Sequence, residues 1–160
     1  MSPDDVSGAA EYRFAGLFVP KSIFEVVGTV TSNVTGPKTV AVGLEVGASA
    51  ALLEDGHAAF VKIEIKIIPD QTIQPYRIEV TIAATFTTTN ASQDQMLIFC
   101  QQAAPSILFP YIREIVHRMT MDAPHGVVRL DPVNISAMLN KTQWDVSTHS
   151  EAPVSDAIGS

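Results

Sequence analysis

Alternation is the tightest constraint on this chain. From Ala58 to Ile68, Val61, Ile63, Ile65 and Ile67 share one parity, and Lys62, Glu64 and Lys66 share the other. A side-chain period of two means extended backbone with one dry face and one wet face. Residues Tyr76 to Thr88 repeat the pattern, with Tyr76, Ile78, Val80, Ile82, Ala84 and Phe86 set against Arg77, Glu79, Thr81, Ala83 and Thr85. Residues Thr39 to Leu52 do so more softly, with Val40, Val42, Leu44 and Val46 opposite Glu45 and small residues. The stretch Tyr12 to Val27 carries Phe14, Phe18, Ile23 and Phe24 but also Pro20. Proline lacks a ladder donor, so a bent or edge strand is expected there. Glu54-Asp55-Gly56 supplies a hairpin turn and Pro69 to Pro75 a loop. Consecutive strands with short connections predict an antiparallel meander.

After residue 90 the period changes. Ser92 and Gln95 have the spacing of a capping box, and Met96, Leu97, Phe99 and Cys100 follow at helical intervals. Pro105 and Pro110 predict a break or kink between about 103 and 110. Leu108, Ile112, Ile115 and Met119 then form one helical stripe, with Arg113, Glu114, His117 and Arg118 opposite. Asp122 to Gly126 ends that helix, and Asn134 can cap a short one from Ile135 to about Trp144. The expected fold is α+β. It is a four-stranded antiparallel sheet followed by a long, proline-interrupted helix and a short C-terminal helix, both helices on one face. Residues 1–11 are expected to be flexible, 12–144 to form one domain and 145–160 to be a disordered tail. One sheet under one long helix is a thin core, which leaves edges and helix faces for self-association.

Composition narrows the function. Hydrophobic residues make up 46% of the 160 and charged residues only 17%. That excludes disorder for the body and implies apolar surface covered by an oligomer or a client. Net charge is −7 and no Lys/Arg cluster exists, so a nucleic-acid partner is not expected. The single cysteine, Cys100, rules out an internal disulfide. The first ten residues lack the pattern of a signal peptide. The uncharged run Gln95 to Ile112 holds three Gln and two Pro, which argues against a membrane span. A cytoplasmic location without direct membrane insertion is expected.

Catalytic chemistry finds no support. His57, His117, His125 and His149 form no ligand pair, and Cys100 sits among apolar neighbours. Asp122 and His125, with Ser136 beyond them, are better read as a helix-ending turn than as a catalytic set. Glu45, Glu64 and Glu79 are read as solvated charges on a sheet face. No catalytic residue, metal or cofactor is expected, and the chain is not read as an enzyme. What stands out instead is Phe99, Phe109, Tyr111, Met119, Met121, Met138 and Trp144 in the helical half. Flexible Met and broad aromatic rings suit sites that accept many sequences.

Several segments also carry a family resemblance: Phe24-Glu25, Ile78-Glu79-Val80, PSILFPYIRE at 105–114, LDPVN at 130–134 and AML at 137–139. Over about residues 12–142 the chain resembles the SecB family of protein-export chaperones. The resemblance implies an ATP-independent cytosolic holdase that forms a homotetramer, a dimer of dimers. It implies that unfolded preproteins are held in hydrophobic grooves and delivered to the SecA motor. Carried onto this sequence, the groove would use Tyr76, Ile78, Phe86, Phe109, Tyr111, Met138 and Leu139. Leu108, Ile112, Ile115 and Met119 would pack between dimers, and Glu25 and Glu79 would contact SecA. Lys21 stands where the family is expected to have an acid. The same family includes chaperones dedicated to one partner, such as the antitoxin of a toxin–antitoxin–chaperone system, which is the alternative reading.

Overall fold

The computed structural model describes residues 9–28, 39–40, 43–53, 56–70, 75–139 and 145–149. Alternation becomes strand where it was expected. Strand β1 spans Tyr12–Val26, β2 Thr39–Val40, β3 Leu44–Leu53, β4 Ala58–Ile67 and β5 Tyr76–Thr88. Helix α1 (Gln93–Gln102) and helix α2 (Ala104–Thr120) follow, then β6 (Val127–Val128), α3 (Ile135–Leu139) and β7 (Asp145–His149).

The main sheet has the order β1-β5-β4-β3-β7. Strands β3, β4 and β5 are the expected antiparallel meander, but β1 returns beside β5 rather than β3. Three hairpin-linked strands with the first beside the last is Greek-key order. Val61, Ile63, Ile65 and Ile67 on β4 and Ile78, Val80, Ile82 and Phe86 on β5 are buried beneath the helices. Gly56 makes the β3–β4 turn with φ +72°, and its N–H donates to the Leu53 carbonyl at 2.8 Å. An added Cβ there would lie 2.9 Å from the Gln93 Cβ, so both conformation and space require glycine.

The capping box forms as read. The Ser92 hydroxyl accepts from the Gln95 N–H, and the Gln95 side chain accepts from the Ser92 N–H at 2.8 Å. The helix break falls at Ala103. Pro105 then lies in the first turn of α2, where a missing N–H costs nothing. Pro110 sits inside α2 without ending it. Asn134 caps α3 by accepting from the Ala137 N–H at 3.0 Å; residues 140–144 lie outside the described ones.

Two pairings were not foreseen. Strands β2 and β6 form a two-residue parallel pair. Residues 145–149, expected within a disordered tail, form β7 parallel to β3 and cover its edge. Residues 1–8 of the expected flexible N-terminus and 150–160 of the tail lie outside the described residues. Among the described residues, β1 pairs only with β5, so its other edge is open.

Candidate functional site

A chain of aromatic contacts runs where β1 meets the helices. Tyr12 stacks on Phe99 of α1 with ring centres 3.9 Å apart, and Phe99 meets Phe86 edge-on at 5.2 Å. Phe86 meets Phe14 at 5.4 Å, and Phe14 lies parallel to Tyr111 of α2 at 6.2 Å. One aromatic band therefore runs Tyr12–Phe99–Phe86–Phe14–Tyr111. Its centre, Phe86, is sealed, whereas Phe14 is 39% exposed and Tyr111 42%. Ile98 of α1 and Ile107 of α2 are also exposed. Register places Tyr12 and Phe14 opposite Thr88 and Phe86, so β1 adds its inner-face side chains to a layer that β5 and the helices begin. The band is amphipathic only through the tyrosine hydroxyls; that of Tyr12 donates to the Gln95 carbonyl at 3.2 Å.

Of the seven residues expected to line a groove, five are core. Tyr76, Ile78, Phe86 and Leu139 are fully buried, and Phe109 nearly so. The Tyr76 hydroxyl donates to the Gly126 carbonyl at 2.8 Å and accepts from the His125 N–H at 2.7 Å, which binds the loop after α2 to the sheet. Burial raises its pKa above 10.0, against the opposing effect of the His125 N–H. Tyr111 reaches the surface, and Met138 is half-buried. Leu108 and Ile112, expected between dimers, are likewise spent inside the protomer, while Ile115 and Met119 are half-buried flanks of α2. The face of α2 turned to the sheet is instead Pro105, Leu108, Phe109, Ile112, Val116 and Thr120. Phe14 and Tyr12 were missed as site residues because Pro20 masks the parity of β1. Their shared spacing of two was the available signal.

The opposite face of the sheet is mostly charged, apart from Phe18 and Phe60, whose ring centres lie 5.7 Å apart. Glu25 faces Arg77 at 3.7 Å, Arg77 faces Glu79 at 3.4 Å, and Glu79 meets Lys21 at 2.8 Å. Glu79 is only 8% exposed, rather than the solvated charge expected, because β5 is central and Lys21 reaches across from β1. Its hydrogen bond to Lys21 holds its pKa below 4.5, and the same bond raises that of Lys21 above 10.5. Cross-strand register puts Arg13, Lys21, Lys62, Lys66 and Arg77 on this face with Glu25, Glu45, Glu64 and Glu79. Five bases against four acids leave β1, β3, β4 and β5 without a negative open face, although the chain carries −7.

Burial pushes the Cys100 thiol up to about 12, so it is a core residue. Among the described residues no group of three or more His, Cys, Asp or Glu could hold a metal, and none of their helices is long and apolar enough to cross a membrane. Asp122 to Gly126 form the turn that ends α2, with the Gly126 N–H donating to the Ala123 carbonyl.

Residues 10–145 match the family described as preprotein translocase subunit SecB. Similar proteins include the protein-export protein SecB of Thiobacillus denitrificans, 32% identical over 96 residues, covering 59% of this chain and 62% of that one. The protein of the same description from Methylobacillus flagellatus is 31% identical over 99 residues, covering 61% and 62%. The chain thus spans about three fifths of the length of these relatives. In fold it is similar to a Mycobacterium tuberculosis SecB-like chaperone solved in complex with a ChAD peptide from the HigA1 antitoxin. The TM-score is 0.60 at 15% identity, covering 76% of this chain and 90% of that one.

Proposed function

Since the chain belongs to the SecB family, whose members are chaperones rather than enzymes and bind unfolded client proteins, we propose that it is an ATP-independent holdase. The observation that carries this reading is the aromatic band from Tyr12 to Tyr111, open at Phe14 and Tyr111 on the protomer surface. An unfolded segment laid along it would bury apolar side chains at roughly 25 cal/mol per Å² of area removed from water. Several weak contacts along one client add through effective concentration. Holding the unfolded chain then lowers its free concentration by mass action. The client surface would comprise Phe14, Tyr111, Ile107 and Ile98, with Met138 at its margin. The residues buried in the protomer would hold these in place.

Self-association fits the same geometry. The open edge of β1, with Phe18, Val19 and Val26 exposed, supports assembly into a dimer of dimers, with Ile115 and Met119 rather than Leu108 and Ile112 available between subunits. After client capture, the first reading is delivery of unfolded preproteins to SecA in the cytoplasm. A second reading is favoured by one observation. Glu79 is occupied by Lys21 and Arg77, and Glu25 by Arg77, so the face that would offer acids to SecA is already neutralised. That supports a chaperone dedicated to one partner, such as an antitoxin.

Aggregation of a chemically unfolded model protein, followed by light scattering without ATP, tests the holdase. Suppression near one client per assembly supports it. An intact assembly that leaves scattering unchanged contradicts it and favours the dedicated partner. Binding to SecA in low and high salt separates the two readings, because an acid-mediated dock weakens with screening.

A further inference from the structure

The two sequence segments PSILFPYIRE and LDPVN meet in space. The Arg113 Nε donates to the Leu130 carbonyl at 2.7 Å, which ties α2 to the extended segment after β6. Around this bond lies a surface hollow of about 290 Å³ lined by Arg113, Glu114, His117, Arg129 and Leu130. The acid in that lining is engaged elsewhere: Glu114 accepts from Arg118, one turn along α2, at 2.6 Å. Among the described residues, neither Arg129 nor the terminal nitrogens of Arg113 has a carboxylate partner. Two guanidinium groups and an imidazole thus converge on one hollow in a chain whose net charge is −7.

The tie to Leu130 explains Arg113 as a structural strap. It leaves Arg129, which is exposed, and His117, one turn from Arg113, without a structural role. It also holds the Arg113 fork in a single orientation with its outer N–H groups free. A guanidinium fixed in this way loses little side-chain entropy when it donates to a planar or tetrahedral oxyanion in bidentate fashion.

We propose that this hollow is an oxyanion-binding site, taking a carboxylate or phosphate group between Arg113 and Arg129 with His117 as a third donor. It shares no residue with the aromatic band and does not depend on the holdase reading.

The test uses the full chain. Inorganic phosphate and, separately, acetate are titrated at ionic strength held constant with chloride, following the backbone amide signals of Val128 to Leu130 by NMR. The site predicts saturable shifts there. Saturation with phosphate assigns the site to phosphate groups, and saturation with acetate assigns it to carboxylates. Arg129→Ala should weaken the binding at least tenfold while leaving the anion-free unfolding midpoint unchanged or raised, because repulsion from Arg113 is relieved. Arg113→Lys keeps the charge but loses the fork and the strap, and should weaken binding too. Shifts that rise linearly, that chloride reproduces, or that persist in Arg129→Ala would overturn the assignment.

Discussion

Strands β5 and β1 lie side by side and are both rich in large apolar residues, yet they meet opposite fates. β5 is central: Ile78, Val80, Ile82, Ala84 and Phe86 are sealed under the helices, and even Glu79, Thr81 and Ala83 on its other face are buried. β1 is an edge: Phe14, Phe18, Val19 and Val26 remain substantially exposed, and none of its side chains is fully buried. Apolar content alone therefore does not identify a core. Position in the sheet does, because a central strand is covered by neighbours on both sides, while an edge strand depends on what else arrives. Apolar residues on an uncovered edge are a surface for association, which is why the binding account rests on β1 and not on β5.

The comparison breaks most easily at its buried half. Ile82→Ala should cost about 2–5 kcal/mol, the range for emptying a core site, and lower the urea midpoint accordingly. A loss under about 1 kcal/mol would mean that the β5 layer is not packed as described. Phe14→Asp sharpens the exposed half. It should weaken the hold on an unfolded client about tenfold, about 1.4 kcal/mol, with the assembly intact by sedimentation. Equal client binding by the variant would remove Phe14 from the site.

A third test concerns the ion pair that joins the two strands. Because the Glu79 pKa is lowered by Lys21, its contribution to stability is present above the ordinary carboxylate value of 4.5 and lost as pH falls through the lowered one. On the Lys21 side, the raised pKa keeps the contribution until pH passes beyond 10.5. The stability gap between the parent and Lys21→Met, read from urea midpoints, should thus be steady at neutral pH and close on the acid side. A gap that persists at pH 2 would show that Lys21 acts through packing. The smallest effect is expected for Phe18→Ser. Phe18 is 51% exposed and touches Phe60 at a ring separation of 5.7 Å, so monomer stability should move by no more than about 0.5 kcal/mol.

Local rules made much of this fold legible. Alternation located β3, β4 and β5, S-x-x-Q marked the start of α1, and Asn134 marked that of α3. Each signal is written in residues that touch one another. The failures were of longer range. Nothing in the spacing of Tyr12 to Val26 says that it pairs with Thr88 rather than with β3, since strand order is a property of the whole chain. Residues 145–149 read as tail because their alternation is short and polar, and only the waiting edge of β3 makes them a strand. The burial of the expected groove residues in the protomer was illegible for the same reason. Tyr76, Ile78 and Phe86 carry the strand period, and the period marks which side chains share a face but not which face the helices will cover. On α2, a stripe through Ile115 and Met119 and the one through Val116 and Thr120 are a single residue apart, and contact with the sheet selected the second.

Site-specific photocrosslinking reports which face of the sheet holds the client. A photoreactive side chain is placed in turn at positions 14, 111 and 62, and the chain is mixed with an unfolded client without ATP. Crosslinks from positions 14 and 111 but not from Lys62 on the polar face are the predicted result. Crosslinks from position 62 alone would place the client on the opposite face of the sheet and contradict the account.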